Sequence, residues 1–415
     1  MAEALRRHAW FRESRPGGRR AVLLDCDLSG VDLGGQDLSH ANLTGSSFIG
    51  ANLGGCRLDS ATVFGCDFRR ANLNDASLSR ADLRGCNFGG AMLVGANLFE
   101  ADMREGGQIA RDRSGEFRAR GANDVDATSG RTTFFGANLT NASLSGAFAV
   151  KTDFSDALMR DCRLTRAHLR GANFSGCDLD GADFGQADTR DTCFQGASLS
   201  GTNFTFANVA GADMKDALSD KPHGKLLSTL GVSVEDLLAG HVQFIETNGT
   251  RGQLLDLSGF DLRGSQAFAG ACLTLARAAN AVFCGVDLTR AALQAAKCQQ
   301  SDFRKSRLDG ADMRGICLAG ARLDSASMRK ADLRALRIGS GAQMRADLSN
   351  ARLRHADLRG AMLTDVSFVG ADLSFTDLTG ATLTGADFTD ARLVASKMSG
   401  EQMAIVGGLG AIIAA

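Results

Sequence analysis

The chain is 415 residues long and nearly neutral, with 46 Lys and Arg against 47 Asp and Glu and a formal net charge of −1. That balance argues against the strongly basic surface of a nucleic-acid binder and the strongly acidic surface of a DNA mimic. No apolar run is long enough to span a bilayer, and Met1 to Glu13 lacks the apolar stretch of a signal peptide, so a soluble cytoplasmic protein is expected.

Residues 1–20 read as a short helical cap. From Leu23 the chain settles into a five-residue beat, as in Ala81-Asp82-Leu83-Arg84-Gly85. A period of five is neither the 3.6 of a helix nor the 2 of a strand, and its persistence marks a solenoid. The Leu or Phe is the central residue and points inward. The Ala or Cys two places earlier also points inward, where only a small side chain fits. The polar residue between them faces water, and Gly is common at the last position, where the chain turns. Phe48, Phe68 and Phe88 recur at intervals of twenty, as do Phe134, Phe154, Phe174 and Phe194. Twenty residues, or four pentads, therefore make one coil, with coils about 4.8 Å apart. Only 2 of the residues are Pro, as a continuous backbone ladder requires.

The beat fails in three places. Arg104 to Arg131 is irregular, and because the Phe column resumes at Phe134 it reads as a loop inserted into a continuing lobe, 21–219. Residues 220–253 carry helical spacing, with Ser233 placed to cap a helix through Val234, Leu237, Leu238, His241 and Ile245. This segment repeats the N-terminal pattern: His241, Phe244 and Glu246 parallel His8, Phe11 and Glu13, and each set precedes an Asp-Leu-Ser-Gly pentad. The chain thus reads as two related units, each a cap followed by coils. After a small slip between Leu262 and Phe268 the second lobe spans 254–403. Residues 404–415 form an apolar tail, suited to covering the last coil or pairing with a second copy as a homodimer.

Catalytic signatures are missing: there is no GxSxG, HExxH or Walker loop, and the six His lack metal-ligand spacing. Neither a cofactor nor an enzymatic activity is expected. The eleven Cys read as reduced core residues, Cys26, Cys56, Cys66, Cys86, Cys162 and Cys177 holding the small inward position. Two features stand out as partner-binding candidates. One is the loop, with Arg111, Arg113, Phe117, Arg118 and Arg120 as planar cations and an aromatic anchor. The other is Arg314, Arg334 and Arg354, which a strict spacing of twenty stacks on one face beside Asp312, Asp332 and Asp372, as a salt ladder or an anion or partner site.

The Ala-Asp/Asn-Leu-x-Gly pattern resembles the pentapeptide-repeat family. The resemblance implies an all-β solenoid, a right-handed quadrilateral β-helix with four pentapeptides per coil, here as two lobes with short α-helical caps. It says much less about function; the architecture itself leads to the expectation of a bacterial, non-catalytic scaffold presenting rigid faces and a projecting loop to a protein partner, with no direct nucleic-acid binding. The alternative is a regulator or protector of a type II topoisomerase (gyrase), as in the quinolone-resistance pentapeptide proteins. Their acidic DNA-like surface is not matched by this chain's near-neutral charge.

Overall fold

The computed structural model of the chain describes residues 1–106, 130–339, 341–407 and 411, together with two strands between residues 109 and 119. It divides into two compact units, Met1–Lys221 and Pro222–Ala415. In unit 1, helix α1 (Ala2–Arg12) leads into a stack of coils joined by parallel bridges. Val22 pairs with Asn42, Asp27 with Ser47, Asp32 with Asn52 and Asp37 with Arg57. Each bridge spans twenty residues, and four bridge columns run along the unit.

The pentad sequence follows from what each position bonds. The central residue donates its N–H to the next coil, as Leu23 does to the Asn42 carbonyl at 2.8 Å, and Asn42 donates back to Ala21 at 2.9 Å. The second position carries Asp or Asn because its side-chain oxygen accepts the N–H two residues on. Asp32 takes the Gly34 N–H at 3.0 Å and Asp37 that of Ser39 at 2.9 Å. Asn amides then bond along the axis, Asn52 to Asp32 at 2.7 Å and Asn72 to Asn52 at 2.9 Å. At the corner the Ala41 N–H bonds the Leu38 carbonyl at 3.0 Å, and His40 between them has φ +65°, the left-handed position of a type II turn. Gly is thus favoured at the corner but not required.

The core is the inward residues. Phe48, Phe68, Phe88, Phe134, Phe154, Phe174 and Phe194 are fully buried and stack ring on ring at 4.5–5.3 Å. Phe88 stacks directly on Phe134 at 4.5 Å, and Asn87 bridges to Thr133, a span of 46 in place of 20. The coil therefore continues beneath a 26-residue insertion. The insertion is closed at its base by Gly106 N–H to Gly130 O at 2.8 Å, and it contains the antiparallel pair β1 (Ile109–Arg111) and β2 (Phe117–Ala119).

Unit 2 opens with β3 (Lys225–Leu226), which pairs in parallel with β4 (Phe260–Asp261). Between them lies α2 (Val234–Glu246), capped by Ser233, which accepts the Asp236 N–H at 3.0 Å. The first bridges span 21, Asp256 to Arg277 and Asp261 to Val282, and the span then settles at 20, as the slip in the sequence requires. A second interruption is not apparent from the pentad pattern. Cys317 bridges to Asp347, Arg322 to Arg352 and Ser327 to Asp357, each a span of 30. Ten residues are looped out as the hairpin β5 (Leu336–Ile338) and β6 (Ala342–Met344). Ten is two pentads, so the beat keeps its phase while the relation of residue number to face changes. Helix α3 (Gly400–Gly407) begins inside the range read as repeat and takes Met403 with it. Gln402 Nε2 donates to the Leu378 and Ala381 carbonyls, both at 2.8 Å, and Val406 is fully buried. The apolar segment thus starts with a helix that closes the last coil; residues 408–410 and 412–415 lie outside the described residues.

Candidate functional site

The two caps are built alike around a buried histidine. His8 Nδ1 accepts the Ala21 N–H at 3.0 Å, and His241 Nδ1 accepts the Leu255 N–H at 3.1 Å. Accepting at Nδ1 requires the neutral ring, and burial pushes the pKa of both below the ordinary histidine value. His241 also donates from Nε2 to the Thr274 carbonyl at 3.0 Å. His8 Nε2 is buried and finds no hydrogen-bond partner. These histidines close coils, and their geometry accounts for the sequence echo between the caps.

Cys56, Cys66, Cys86, Cys162, Cys177 and Cys298 are buried thiols, whereas Cys193, Cys272 and Cys317 hold the outward bridging position and, with Cys26 and Cys284, are only half-buried, so the expectation that all eleven are core residues is corrected. Cys66 Sγ donates to the Leu43 carbonyl at 3.0 Å and Cys177 to that of Phe154 at 2.8 Å. Burial pushes Cys66 and Cys298 up to about 12, so neither is a thiolate nucleophile at neutral pH. Among the described residues no group of three His, Cys, Asp or Glu is placed to hold a metal ion, and no helix is long and apolar enough to cross a membrane.

The loop candidates divide. Arg111 pairs through its backbone with Phe117, and Arg118 with Ala110, so these three sit on the inserted hairpin. Arg113 and Arg120 lie outside the described residues. On unit 1 a surface groove of about 590 Å³ runs between Phe99 and Phe206 across Ser145, Gly146, Thr165 and Gly185. Phe206 is 85% exposed at a corner with φ +59°.

The expected Arg column needs correcting. Asp312 bridges to Asp332, so Arg314 and Arg334 do lie one coil apart. Asp332 then bridges to Met362, and Arg354 belongs to the column of Arg322, Arg352 and Asp372 on another side. The ten-residue hairpin is the cause. Arg314 and Arg334 are also held by their own pentads: Arg314 clamps Asp312 at 2.8 and 2.7 Å, and Arg334 clamps Asp332 at 3.0 and 2.8 Å. The same in-pentad clamp recurs at Asp82–Arg84, Asp188–Arg190 and Asp357–Arg359. Each is a bidentate surface pair that offsets the stacking of like charges and adds little stability.

Arg354 instead joins a denser cluster that the sequence did not reveal. Asp302, Arg322, Arg352 and Asp372 bridge in succession, with Arg304, Asp324 and Arg354 two residues beyond the first three. Arg304 is 4% exposed and clamps Asp302 through Nε at 2.9 Å and Nη2 at 2.5 Å. Arg354 bonds Asp372 at 2.7 Å. Asp324 is 9% exposed, and neither of its oxygens accepts a hydrogen bond. Its nearest cations are Arg352 Nη2 at 3.6 Å and Arg322 Nε at 4.0 Å. Outward positions are polar by the pentad rule, but stacked charged columns bury one another, which a single pentad does not show. The signal available in the sequence was Gln343 at a central position and Leu336 at a small one, which mark two pentads that cannot pack as repeats.

The family model for pentapeptide repeats matches residues 26–62, 64–104, 137–218, 271–335 and 344–400. The chain belongs to the pentapeptide-repeat family. Its fold is the right-handed β-helix of that family. Similar solved structures include QnrB1, a plasmid-mediated fluoroquinolone resistance protein, at 22% identity over 51% of this chain and 98% of that one, with TM-score 0.31. HetL, a pentapeptide repeat protein involved in heterocyst differentiation regulation from Nostoc sp. strain PCC 7120, is 20% identical over 95% and 96%, with TM-score 0.19. A pentapeptide repeat protein from the Arabidopsis thaliana thylakoid lumen is 22% identical over 40% and 70%, with TM-score 0.12. No curated protein matches the chain.

Proposed function

We propose that this pentapeptide-repeat protein is a non-catalytic interaction scaffold that presents its coil faces and corner hairpins to a protein partner. The observation that carries this reading is where irregularity occurs. Apart from the last coil of unit 1, where Val209 is 42% and Met214 39% exposed, the inward columns of both units are almost entirely apolar side chains at near-zero exposure, so the coils leave no room to desolvate a substrate. Departures from the repeat are at the ends and at two corners, where hairpins project. The hairpin of unit 2 carries Ile338 at 44% and Met344 at 39% exposure on one side, since Leu336 pairs with Met344 and Ile338 with Ala342. Arg337 lies on the other side, across from Gln343. One side of the hairpin thus offers exposed apolar side chains and the other a guanidinium, both of which are used at protein interfaces.

The test is affinity capture from native cells with the full chain, a variant lacking 105–130 and a variant lacking 335–344, each bound protein identified and its affinity then measured with purified material. Loss of a defined partner by at least tenfold in one deletion, with the fold retained, is the expected result. Equal affinity in all three forms excludes the hairpins as docking elements. The gyrase alternative is disfavoured by charge: residues 301–354 hold twelve Lys and Arg against six Asp and Glu, the opposite of a DNA-like surface.

A further inference from the structure

The groove on unit 1 follows one corner of the coil, and its residues stand in register. The bridge column that starts at Asp37 runs on through Asn97, Ser143, Arg163, Asp183 and Asn203. Two and three places beyond these lie the groove residues, from Phe99 and Glu100 at one end to Thr205 and Phe206 at the other. Four coil intervals of about 4.8 Å separate the ends, so the groove is about 19 Å long. It is hollow because its middle positions are short, Ser145 with Gly146, then Thr165, then Gly185, while an aromatic ring stands at each end.

The backbone of the floor is already spent. Glu100, Gly146, Arg166 and Gln186 give their N–H groups to the carbonyls of Ser145, Thr165, Gly185 and Thr205 at 2.9–3.0 Å. No strand edge is left for a peptide to extend, so recognition falls to side chains. Their charges select no ion: Arg166 and the bordering Arg80 and Arg163 face Glu100 and Asp183, and Arg80 already pairs with Glu100 at 2.8 Å. Hydrogen-bonding capacity of both kinds remains. Thr165 Oγ1 donates to Ser145 Oγ at 2.9 Å, which leaves the Ser145 hydroxyl to donate onward. Arg166 Nε donates to Gln186 Oε1 at 3.3 Å, which leaves the Gln186 amide N–H groups for a ligand. Asp183 Oδ1 accepts from Gly185 N at 2.9 Å and Asn203 Nδ2 at 2.8 Å, which leaves Oδ2 as an acceptor. Phe206 is the second, independent observation. It holds a bulky ring at φ +59°, a strained position for such a residue, and leaves 85% of itself exposed. Packing within the coil does not account for it.

We propose that this corner binds a neutral oligosaccharide lying along the axis, with Phe206 stacked on a pyranose face and Ser145, Gln186 and Asp183 meeting the hydroxyls. A flat ring suits the C–H face of a sugar, and hydroxyl, amide and carboxylate groups together give and take the bonds that sugar hydroxyls offer. Each unit of a 1,4-linked chain advances by about the 4.8 Å of one coil, so a repeating ligand meets a repeating floor. Glu100 and Asp183 stand three coils apart, about 14 Å, too far to flank one glycosidic bond, so the site holds a sugar chain without cutting it. The inference does not rest on the hairpin docking proposed above, and either can fail alone.

The experiment titrates the full chain by calorimetry with cellohexaose, maltohexaose and chitohexaose as neutral probes, and with hexagalacturonate as the acidic one. Saturable binding of at least one neutral hexasaccharide, at least tenfold tighter than hexagalacturonate, is the expected result. Phe206→Gly is expected to weaken that binding at least tenfold and to raise the unfolding temperature, because Gly relieves the positive φ. A folding defect cannot produce that pair of effects. Gln186→Asn, which withdraws the amide while suiting the same corner, is expected to weaken binding at least tenfold, and Phe206→Trp to preserve it. No saturation with any neutral probe at millimolar concentration overturns the site, as does binding that ignores both Phe206→Gly and Gln186→Asn. Equal affinity for hexagalacturonate overturns the neutral ligand. Loss of self-association by Phe206→Gly in sedimentation, with sugar binding unchanged, overturns the site by assigning the ring to a contact between copies.

Discussion

The two units solve one packing problem and differ in what they hang on the solution. Unit 1 runs a column of seven stacked Phe through its core, whereas the stacked rings of unit 2 come in pairs, Phe283 on Phe303 at 4.5 Å and Phe368 on Phe388 at 5.1 Å. Unit 1 carries a long insertion and a polar groove; unit 2 carries a short insertion and an arginine-rich column. The inward positions are dictated by a narrow coil that admits one large and one small side chain per pentad, so they converge. The outward positions answer only to the Asp or Asn that caps the next N–H, so they are free to diverge in charge.

The contrast in cores is the most sensitive point of comparison. Phe88→Ala removes a ring stacked on both sides and is expected to destabilise unit 1 by about 4 kcal/mol, the cavity cost plus two lost ring contacts. Phe303→Ala removes a ring with one stacked neighbour and is expected to cost about 3 kcal/mol in unit 2. Denaturant unfolding followed separately for the two units measures both; equal costs would show that the column adds nothing beyond burial.

The caps come next. Their histidines bind as neutral rings with pKa values depressed by burial, so the unfolded chain takes up protons first as pH falls. The stability that each cap contributes is therefore fully present above about 6.5 and is lost as pH drops from there toward the folded-state pKa. Thermal unfolding between pH 7.5 and 5 should show that loss, and His241→Phe should flatten the part belonging to unit 2. Because His241 makes a second hydrogen bond and His8 does not, His241→Phe should also cost about 1 kcal/mol more at pH 7.5 than His8→Phe. A pH profile unchanged by both substitutions would separate the histidines from cap docking.

The hairpins should matter least to stability. Deleting 335–344 joins Arg334 to Arg345 and leaves the pentads in phase, and deleting 105–130 joins Arg104 to Arg131 with the same result. Each deletion is expected to shift stability by no more than about 1–2 kcal/mol, since a shorter connection lowers closure entropy while the contacts of Leu336 and Met344 over Gly315 are lost. Circular dichroism and unfolding midpoints read the outcome.

The coil was legible in the sequence because two periods coincide there, five for the chemistry of each side and twenty for the stacked Phe. The 26-residue insertion was legible because 26 is not a multiple of five, so the phase jumps at Arg104 and returns at Phe134. The ten-residue insertion was concealed for the converse reason, and with it went the true neighbours of Arg354. Asp324 shows a second limit. Its pentad, Ala321-Arg322-Leu323-Asp324-Ser325, reads as ordinary and outward-facing, and its burial comes from Arg304 in the coil before and Arg354 in the coil after. The echo between His8 and His241 was visible as a pattern, but the backbone bond that explains it was not, because the acceptor role of Nδ1 depends on where Ala21 and Leu255 fall in space.

Both insertions leave the chain at a corner and return to it without disturbing a single inward residue. The Phe88–Phe134 stack is as tight across 46 residues as Phe283–Phe303 is across 20, each at 4.5 Å. Such corners work as ports in a fixed lattice. New chain can be threaded out, lengthened or exchanged while the core sees an uninterrupted crystal-like column, so in this architecture recognition and folding can evolve on separate ledgers.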